Sequence, residues 1–333
     1  MNLLDLIVVG GGPAGLAAAI AAQKAGLDYQ VLEKGVLVNS IFHFPSDMVF
    51  FTTPELLEIG AIPFTTPYQK PTRMEALRYY RRVSDTYQLR VSLNQEVISI
   101  ARRDACAQNG SVFAVETRSG NGSGAVHHGR TVVLATGYYD HPNRLEIPGE
   151  DLPHVRHYYT EPHPFYRKQV VIVGGKNSAA EAALDLYRAG AQVTLVHRRD
   201  QLGESIKYWL RPDIENRIKE GSIQARFNTR VREIRPESVI VESNGDQDDL
   251  PAQGVFLLTG YHPDADLLKR AGVEVDEQTF VPTHNPETLE TNVPGLYLAG
   301  AVVTGKETNR VFIENGRFHG ESVVAVIRAR LGR

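Results

Sequence analysis

The chain has 333 residues, 42% of them hydrophobic, with Lys+Arg 36 against Asp+Glu 39 and a formal net charge of -3. This length supports two compact domains with separate cores, and the near-balanced charge excludes a basic field for nucleic acid or anionic lipid. A single cysteine, Cys106, excludes an intramolecular disulfide framework and a multi-cysteine metal or iron–sulfur centre within one chain, and no metal site is expected.

From the N-terminus, Leu3-Leu4-Asp5-Leu6-Ile7-Val8-Val9 reads as a buried strand running into Gly10-Gly11-Gly12-Pro13-Ala14-Gly15. The strand starts too early for a signal segment, and Asp5 and the glycines interrupt the only long apolar stretch, so a cytoplasmic location is expected. An alanine-rich helix over 14–25 ends at Gly26, and a strand over 29–32 is closed by Glu33. Strand, glycine turn, helix, strand and acid compose a complete dinucleotide-binding βαβ unit. Gly10 allows the tight turn, Gly12 lets the backbone approach a pyrophosphate, Gly15 lets helix pack on strand, and the helix N-terminus offers N–H groups to phosphate. Glu33 stands about 20 residues past the turn, where a carboxylate accepts from a ribose 2′-hydroxyl and repels a 2′-phosphate. The site should therefore take FAD or NAD rather than NADP.

Further on, Thr72-Arg73-Met74-Glu75 is a capping box opening a helix to about residue 88. Short β-rich stretches follow at 90–100 and 112–117, with a hairpin tip at 119–124. Cys106 lies in a polar stretch, 103–110, that reads as an exposed turn. Two apolar strands end in Thr-Gly, at 132–137 and 255–260, and read as crossings between domains, where glycine permits a sharp change of direction.

Between those crossings the pattern repeats: a strand over 169–173, the turn Gly174-Gly175-Lys176-Asn177-Ser178-Ala179, a helix over 178–188, Gly190, and a strand over 192–196. Lys176 and Ala179 stand where glycines are expected, so the surrounding βαβ unit carries the reading. This strand ends in His197-Arg198-Arg199 instead of an acid. An arginine fork matches phosphate geometry, each bond contributing about 1.5–3 kcal/mol before screening. That points to NADPH, with Lys207 a further phosphate candidate or an ordinary exposed lysine.

The C-terminal part holds a strand-to-glycine signal at 295–301 and a helix from near residue 311. Gly316 and Gly320 fall on one face of that helix, allowing close approach to a flat ring or plain helix packing. Arg328, Arg330 and Arg333 read as a solvated helix end that complements the dipole. The expected fold is α/β, with two Rossmann-like dinucleotide-binding domains. A nicotinamide domain, 141–260, is inserted into a discontinuous flavin domain, 1–140 and 261–333.

Two nested dinucleotide domains, the Ala-Thr-Gly crossing at Ala135, the Gly-Gly-x-Asn-Ser-Ala turn at Gly174 and His-Arg-Arg at His197 resemble the low-molecular-weight thioredoxin reductases over nearly the whole chain. The resemblance implies FAD in the first domain, NADPH in the second and a homodimer. Two departures matter. Where that family carries Cys-x-x-Cys, this chain reads His157-Tyr158-Tyr159-Thr160-Glu161-Pro162-His163-Pro164-Phe165-Tyr166, and its Ala-Gly-Asp becomes Ala299-Gly300-Ala301. With Asn39-Ser40-Ile41 and Phe312-Ile313-Glu314-Asn315-Gly316-Arg317, the chain resembles the bacillithiol-disulfide reductase family, which implies NADPH-driven reduction of a small thiol's disulfide. Many members have Gly-Pro-Cys-Gly in the first turn; Ala14 takes that cysteine's place.

Position by position, the resemblance puts Gly10, Gly12, Pro13, Ala14, Gly15, Glu33 and Lys34 at FAD, together with Asn39, Ser40, Val97, Ala135, Thr136 and Gly137. From the C-terminal part it adds Gly300, Ala301, Phe312 and Ile313. NADPH is assigned Gly174, Gly175, Lys176, Asn177, Ser178, Glu181, His197, Arg198, Arg199, Lys207, Thr259 and Gly260. No redox cysteine is available for catalysis; Glu314, Asn315 and His319 are candidates for the flavin face, as polar residues on a helix expected near the ring. Three alternatives remain open. One is an NADP reductase for ferredoxin or flavodoxin, another an NADPH-sensing flavoprotein without turnover. The third is a flavin monooxygenase, which His157-Tyr158 suggests but which lacks Phe-x-Gly where Asp151-Leu152-Pro153 stand.

Overall fold

A computed structural model describes residues 3–104 and 111–333, so the expectation for Cys106 lies outside the described residues. The chain divides into two compact units, Met1–His141 with Tyr261–Arg333, and Pro142–Gly260.

The first unit opens with β1 (Leu3–Val9), α1 (Pro13–Lys24) and β2 (Tyr29–Leu32), then a one-turn helix α2 (Asn39–Phe42) and the longer α3 (Arg73–Tyr87). Pro13 occupies the first helical position of α1, where a missing N–H costs nothing. The capping box of α3 forms: Glu75 N–H donates to Thr72 Oγ1 at 3.2 Å and Thr72 N–H to Glu75 Oε2 at 2.8 Å. The β-rich stretch expected over 90–100 divides into β3 (Val91–Ser92) and β4 (Gln95–Asp104), because Asn94 turns the chain through a left-handed conformation. β5 (Ser111–Ser119) and β6 (Gly124–Leu134) complete this segment across the expected hairpin tip.

The second unit contains β7 (Val155–Arg156), β8 (Gln169–Val173), α4 (Asn177–Arg188), β9 (Gln192–Val196), α5 (Arg211–Lys219) and β10 (Gln224–Arg226). A meander of β11 (Thr229–Ile234), β12 (Ser238–Ser243) and β13 (Asp246–Pro251) precedes β14 (Gly254–Leu257). The parallel sheet runs β10-β9-β8-β14-β7, and the meander forms a separate antiparallel sheet. Helix α4 packs Ala179, Ala180, Ala182, Ala183, Leu184 and Leu186 inward, leaving its basic end at Arg188 outward.

The chain then returns to the first unit through α6 (Ala265–Arg270), β15 (Leu296–Leu298), α7 (Ile313–Gly316) and α8 (His319–Leu331). The sheet of this unit runs β3-β2-β1-β6-β5-β4, with β15 also on β6. Strand β6 pairs parallel with β1 and β15 through Val132–Leu134 and antiparallel with β5 through its first half. Its central strands are nearly continuous apolar runs because both faces are covered. The single helix expected from near residue 311 is two helices. At the junction the ladder tightens, Phe318 N–H reaching the Asn315 carbonyl at 3.3 Å.

Two candidate dinucleotide sites

Strand β1 delivers the first turn to the head of α1. Gly10 has φ +108°, and a Cβ there would stand 2.5 Å from the Ala135 carbonyl oxygen. A Cβ on Gly15 would stand 2.0 Å from the Gly10 carbonyl oxygen, so only glycine lets helix and strand meet. Gly12, the N-cap, has nothing within 4 Å of its missing Cβ, and no side chain caps α1. The result is an open cradle of outward-facing N–H groups, suited to a pyrophosphate.

Glu33 is 5% exposed, and both its carboxylate oxygens are engaged: Gly11 N–H donates to Oε2 at 2.6 Å and Gly35 N–H to Oε1 at 2.8 Å. Burial pushes its pKa up, with Asp140 adding to the shift and the two backbone donors opposing it. Glu33 therefore ties the glycine turn to the end of β2. Lys34 pairs with Asp140 at 3.0 Å, and Asn39 Oδ1 accepts from Val36 N–H at 3.4 Å. Ser40 is half-buried in α2. Sequence reasoning missed Val38, a fully buried β-branched residue at φ +50° whose N–H donates to the Gly11 carbonyl at 3.1 Å. Such a conformation costs about 1–3 kcal/mol and persists only where the surroundings enforce it. Its signal is tertiary and has no local motif.

Ala135 N–H donates to the Val9 carbonyl at 2.7 Å, bringing Thr136 and Gly137 (φ +66°) alongside the first turn. Val97 sits at the register shift of β4 against β5. Gly300, at φ +77°, lies against Ala14: a Cβ on Gly300 would be 2.8 Å from the Ala14 methyl. Ala301 follows it in a short 3-10 turn.

Of the three residues expected to line a flavin face, His319 and Asn315 also hold backbone groups of the chain. His319 Nδ1 accepts the Gly300 N–H at 3.1 Å, and its pKa is lowered by burial and by His284. Asn315 clamps its own loop, accepting from Phe312 N–H at 2.8 Å and donating to the Arg310 carbonyl at 2.9 Å. Glu314, beside Ile313 in α7, is half-buried, and its charge adds to the burial that raises the Tyr138 hydroxyl. Gly316 and Gly320, expected on one helix face, lie on two helices, α7 and α8, and their contacts fit the packing alternative. Gly316 abuts Gly300, and a Cβ on Gly320 would stand 2.4 Å from Ala18 N, so both serve packing of backbone on backbone. Two arginines went unread in the sequence. Arg73 donates to the Ile41 and Phe42 carbonyls, and Arg317 Nη1 donates to the Glu55 and Glu58 carbonyls at 2.8 and 2.6 Å.

Strand β8 delivers the second turn to α4, which also lacks a side-chain cap. A Cβ on Gly174 would stand 2.6 Å from the Leu258 carbonyl oxygen, and one on Gly175 2.4 Å from the His197 ring. The imidazole lies flat on that bare α-carbon. His197 Nε2 is buried without a hydrogen-bond partner, and its pKa is lowered by burial, then by Arg199 and Arg198. Those two arginines are exposed, and no carboxylate among the described residues pairs with them. Lys176 is the N-cap at φ −116°, a conformation open to any residue, which explains how the motif tolerates it. Ser178 is exposed in the first turn.

Four further residues expected at the second site have contacts within the chain. Asn177 engages both ends of its side-chain amide with the chain beyond β9, donating to the Ser205 carbonyl at 3.0 Å and accepting from Lys207 N–H at 2.9 Å. Thr259 spends its hydroxyl on the Asn143 carbonyl, while Gly260 (φ +93°) accepts from Asn143 N–H. Glu181 is pushed up to about 7 by burial, Lys207 opposing. The stretch 157–166 contributes Tyr159 and Phe165 to the core, both edge-on to Phe256. Among the described residues no helix is long and apolar enough to cross a membrane, and no group of three or more His, Cys, Asp or Glu could hold a metal ion.

Two glycine turns, each feeding an uncapped helix above a parallel sheet, define an oxidoreductase built on two dinucleotide folds. Residues 7–300 match the family described as pyridine nucleotide-disulphide oxidoreductase. The bacilliredoxin reductase Bdr of Bacillus subtilis is 43% identical over 326 residues, covering 97% of each chain. Solved structures of bacillithiol disulfide reductases from Bacillus cereus and Staphylococcus aureus align with TM-scores of 0.94 and 0.91, at 40% and 39% identity. Each alignment covers 99% of this chain, with 100% and 99% of theirs. The chain belongs to the pyridine nucleotide-disulphide oxidoreductase family, and within it to the bacillithiol disulfide reductase family.

Proposed function

We propose that the first site holds FAD, that the second holds NADPH, and that the chain reduces a low-molecular-weight disulfide such as bacillithiol disulfide. One observation carries this reading. Two helix heads of the same build stand beside opposite charges, Glu33 at the end of β2 and Arg198 with Arg199 at the end of β9. A carboxylate suits a ribose diol and repels a 2′-phosphate, whereas a guanidinium attracts it.

When bound, the cofactors supply the hydride route by which NADPH, a proton and a disulfide become NADP⁺ and two thiols. The chain's own residues bind and orient. The N–H groups around Gly12 and Gly15 take the flavin pyrophosphate, with Lys34, Asn39, Ser40 and Val97 around the rest. Ala135 to Gly137, Gly300, Ala301, Phe312 and Ile313 stand on the ring side. Gly174, Gly175 and the backbone of Lys176 to Ser178 take the nicotinamide dinucleotide. Ala14 and the cysteine-free stretch 157–166 leave neither place for a relay thiol.

The similarity to the bacillithiol disulfide reductases of Bacillus cereus and Staphylococcus aureus supports the acceptor. A protein disulfide is the second reading, favoured by the name bacilliredoxin reductase of the Bacillus subtilis relative. Purified protein is assayed for NADPH oxidation with bacillithiol disulfide. A rate no higher than the oxygen background sinks the assignment, and rapid reduction of ferredoxin or flavodoxin instead selects that acceptor class. NADPH binding with no turnover selects the sensing role. We further propose a cytoplasmic homodimer, which light scattering tests as twice the chain mass.

A further inference from the structure

We propose that residues 203–211 form an aromatic strap of the second site, and that Trp209, supported by Tyr208, stacks on a flat ring of the bound pyridine dinucleotide. The inference rests on the NADPH reading and extends it to residues outside the glycine motif.

The strap is tied to the nucleotide turn at several points. Gly203 N–H donates to the Gly175 carbonyl at 2.8 Å, and a Cβ on Gly203 would stand 3.0 Å from that same oxygen. Asn177, the first residue of α4, holds both the Ser205 carbonyl and the Lys207 N–H. Arg211 closes the strap on itself, its Nη2 donating to the Gly203 carbonyl at 2.7 Å. These bonds fix the segment beside the uncapped head of α4, where the phosphates of a dinucleotide belong.

What the strap presents there is unusual for a surface. Tyr208 is 82% exposed and Trp209 41% exposed, with ring centroids 4.9 Å apart at 86°. Large aromatic area left in water forgoes the burial that normally stabilises it. Rigid aromatic platforms beside a phosphate cradle are how proteins hold flat heterocycles, because every base offers a π-face. Lys207 places its ammonium over the Trp209 ring, 5.9 Å from its centroid, so a cation attractive to an anionic ligand stands at the platform. Adenine and nicotinamide share the required chemistry, and the experiment separates them.

Trp209 is the only tryptophan of the chain, so its emission reports this site alone. The flavin-loaded protein is titrated with NADP⁺ and, separately, with adenosine 2′,5′-bisphosphate, which lacks the nicotinamide; calorimetry measures binding independently. NADP⁺ is expected to quench the emission, and Trp209→Leu to raise its Kd roughly tenfold. Quenching by both ligands assigns the ring as adenine, and quenching by NADP⁺ alone assigns nicotinamide. If calorimetry shows NADP⁺ bound while the emission stays constant and Trp209→Leu keeps its Kd, the strap proposal is overturned and the nucleotide reading stands. Absence of any calorimetric binding overturns the nucleotide reading and the strap with it.

Discussion

The imidazole of His319 accepts the backbone N–H of Gly300 at 3.1 Å, through Nδ1. This bond needs the nitrogen unprotonated. Burial lowers the His319 pKa from its ordinary 6.5, and His284 lowers it further. The unfolded chain therefore binds the proton more readily, and the stability this group contributes is complete above about pH 6.5 and lost as pH falls through the lower folded value. His319→Leu should destabilise the protein by about 1 kcal/mol at pH 7.5. The gap to wild type should narrow on acidification, as urea unfolding at a series of pH values would show; a pH-independent gap would refute the arrangement.

Gly12 and Gly320 separate binding from packing. The missing Cβ of Gly12 faces open space, so Gly12→Ala should cost about 1 kcal/mol or less in stability while lowering flavin content after purification. Gly320→Ala drives a methyl into the α1 backbone at Ala18 and should cost about 1–3 kcal/mol. Thermal unfolding and the flavin-to-protein absorbance ratio, read on both variants, check the pair. Equal flavin content in Gly12→Ala and wild type would count against the first cradle.

On the proposed reading, Arg198 and Arg199 carry the discrimination at the second site. Replacing both with alanine should lower kcat/KM for NADPH by roughly tenfold to a few hundredfold, two charge-assisted bonds discounted for exposure. The value for NADH should move little. Steady-state kinetics with each nucleotide decides it, and parallel losses for both would mean the arginines act on the fold.

Glu181 supplies a pH dependence of opposite sign to His319. Its pKa is raised to about 7, so the folded chain holds the proton more tightly than the unfolded one. The group's contribution to stability therefore falls as pH rises from the ordinary 4.5 to about 7 and stays low above it. Glu181→Gln should be more stable than wild type at pH 8, with the difference fading toward pH 4.5. Above pH 7 it should also bind NADP⁺ more tightly by roughly twofold to tenfold, since a carboxylate no longer faces an anionic ligand. Calorimetric titrations at pH 6 and pH 8 test the sign.

The βαβ units were legible because their signals are local. An apolar run, a glycine turn and an alanine-rich helix sit within 30 or so residues, as a nucleotide-binding unit requires. The capping box at Thr72 and Glu75 was legible for the same reason. The meander was not: β13 reads Asp-Gln-Asp-Asp-Leu-Pro, with one buried residue and no alternation to mark a strand. Arg73 and Arg317 were invisible because each reaches carbonyls far along the chain, the Glu55 oxygen lying 262 residues from Arg317. Asn177 was read as a ligand residue because its position in the turn is a matter of sequence, whereas its bonds to Ser205 and Lys207 come from the tertiary path of the strap. The internal bonds of the polar residues after Phe312 were hidden for a related reason. The same donors that suit a ligand also close short loops, and Asn315 does the latter.

Gly300 is constrained twice over, by a backbone angle of +77° and by the Ala14 methyl, 2.8 Å from where its own Cβ would be. Each constraint alone disfavours a larger residue at 300, and together they select glycine. The two positions should consequently diverge unequally among descendants of this chain: residue 300 stays glycine, and any drift in side-chain size at the head of α1 is confined to position 14. A swap that moved the bulk across, small at 14 and large at 300, has no accessible path.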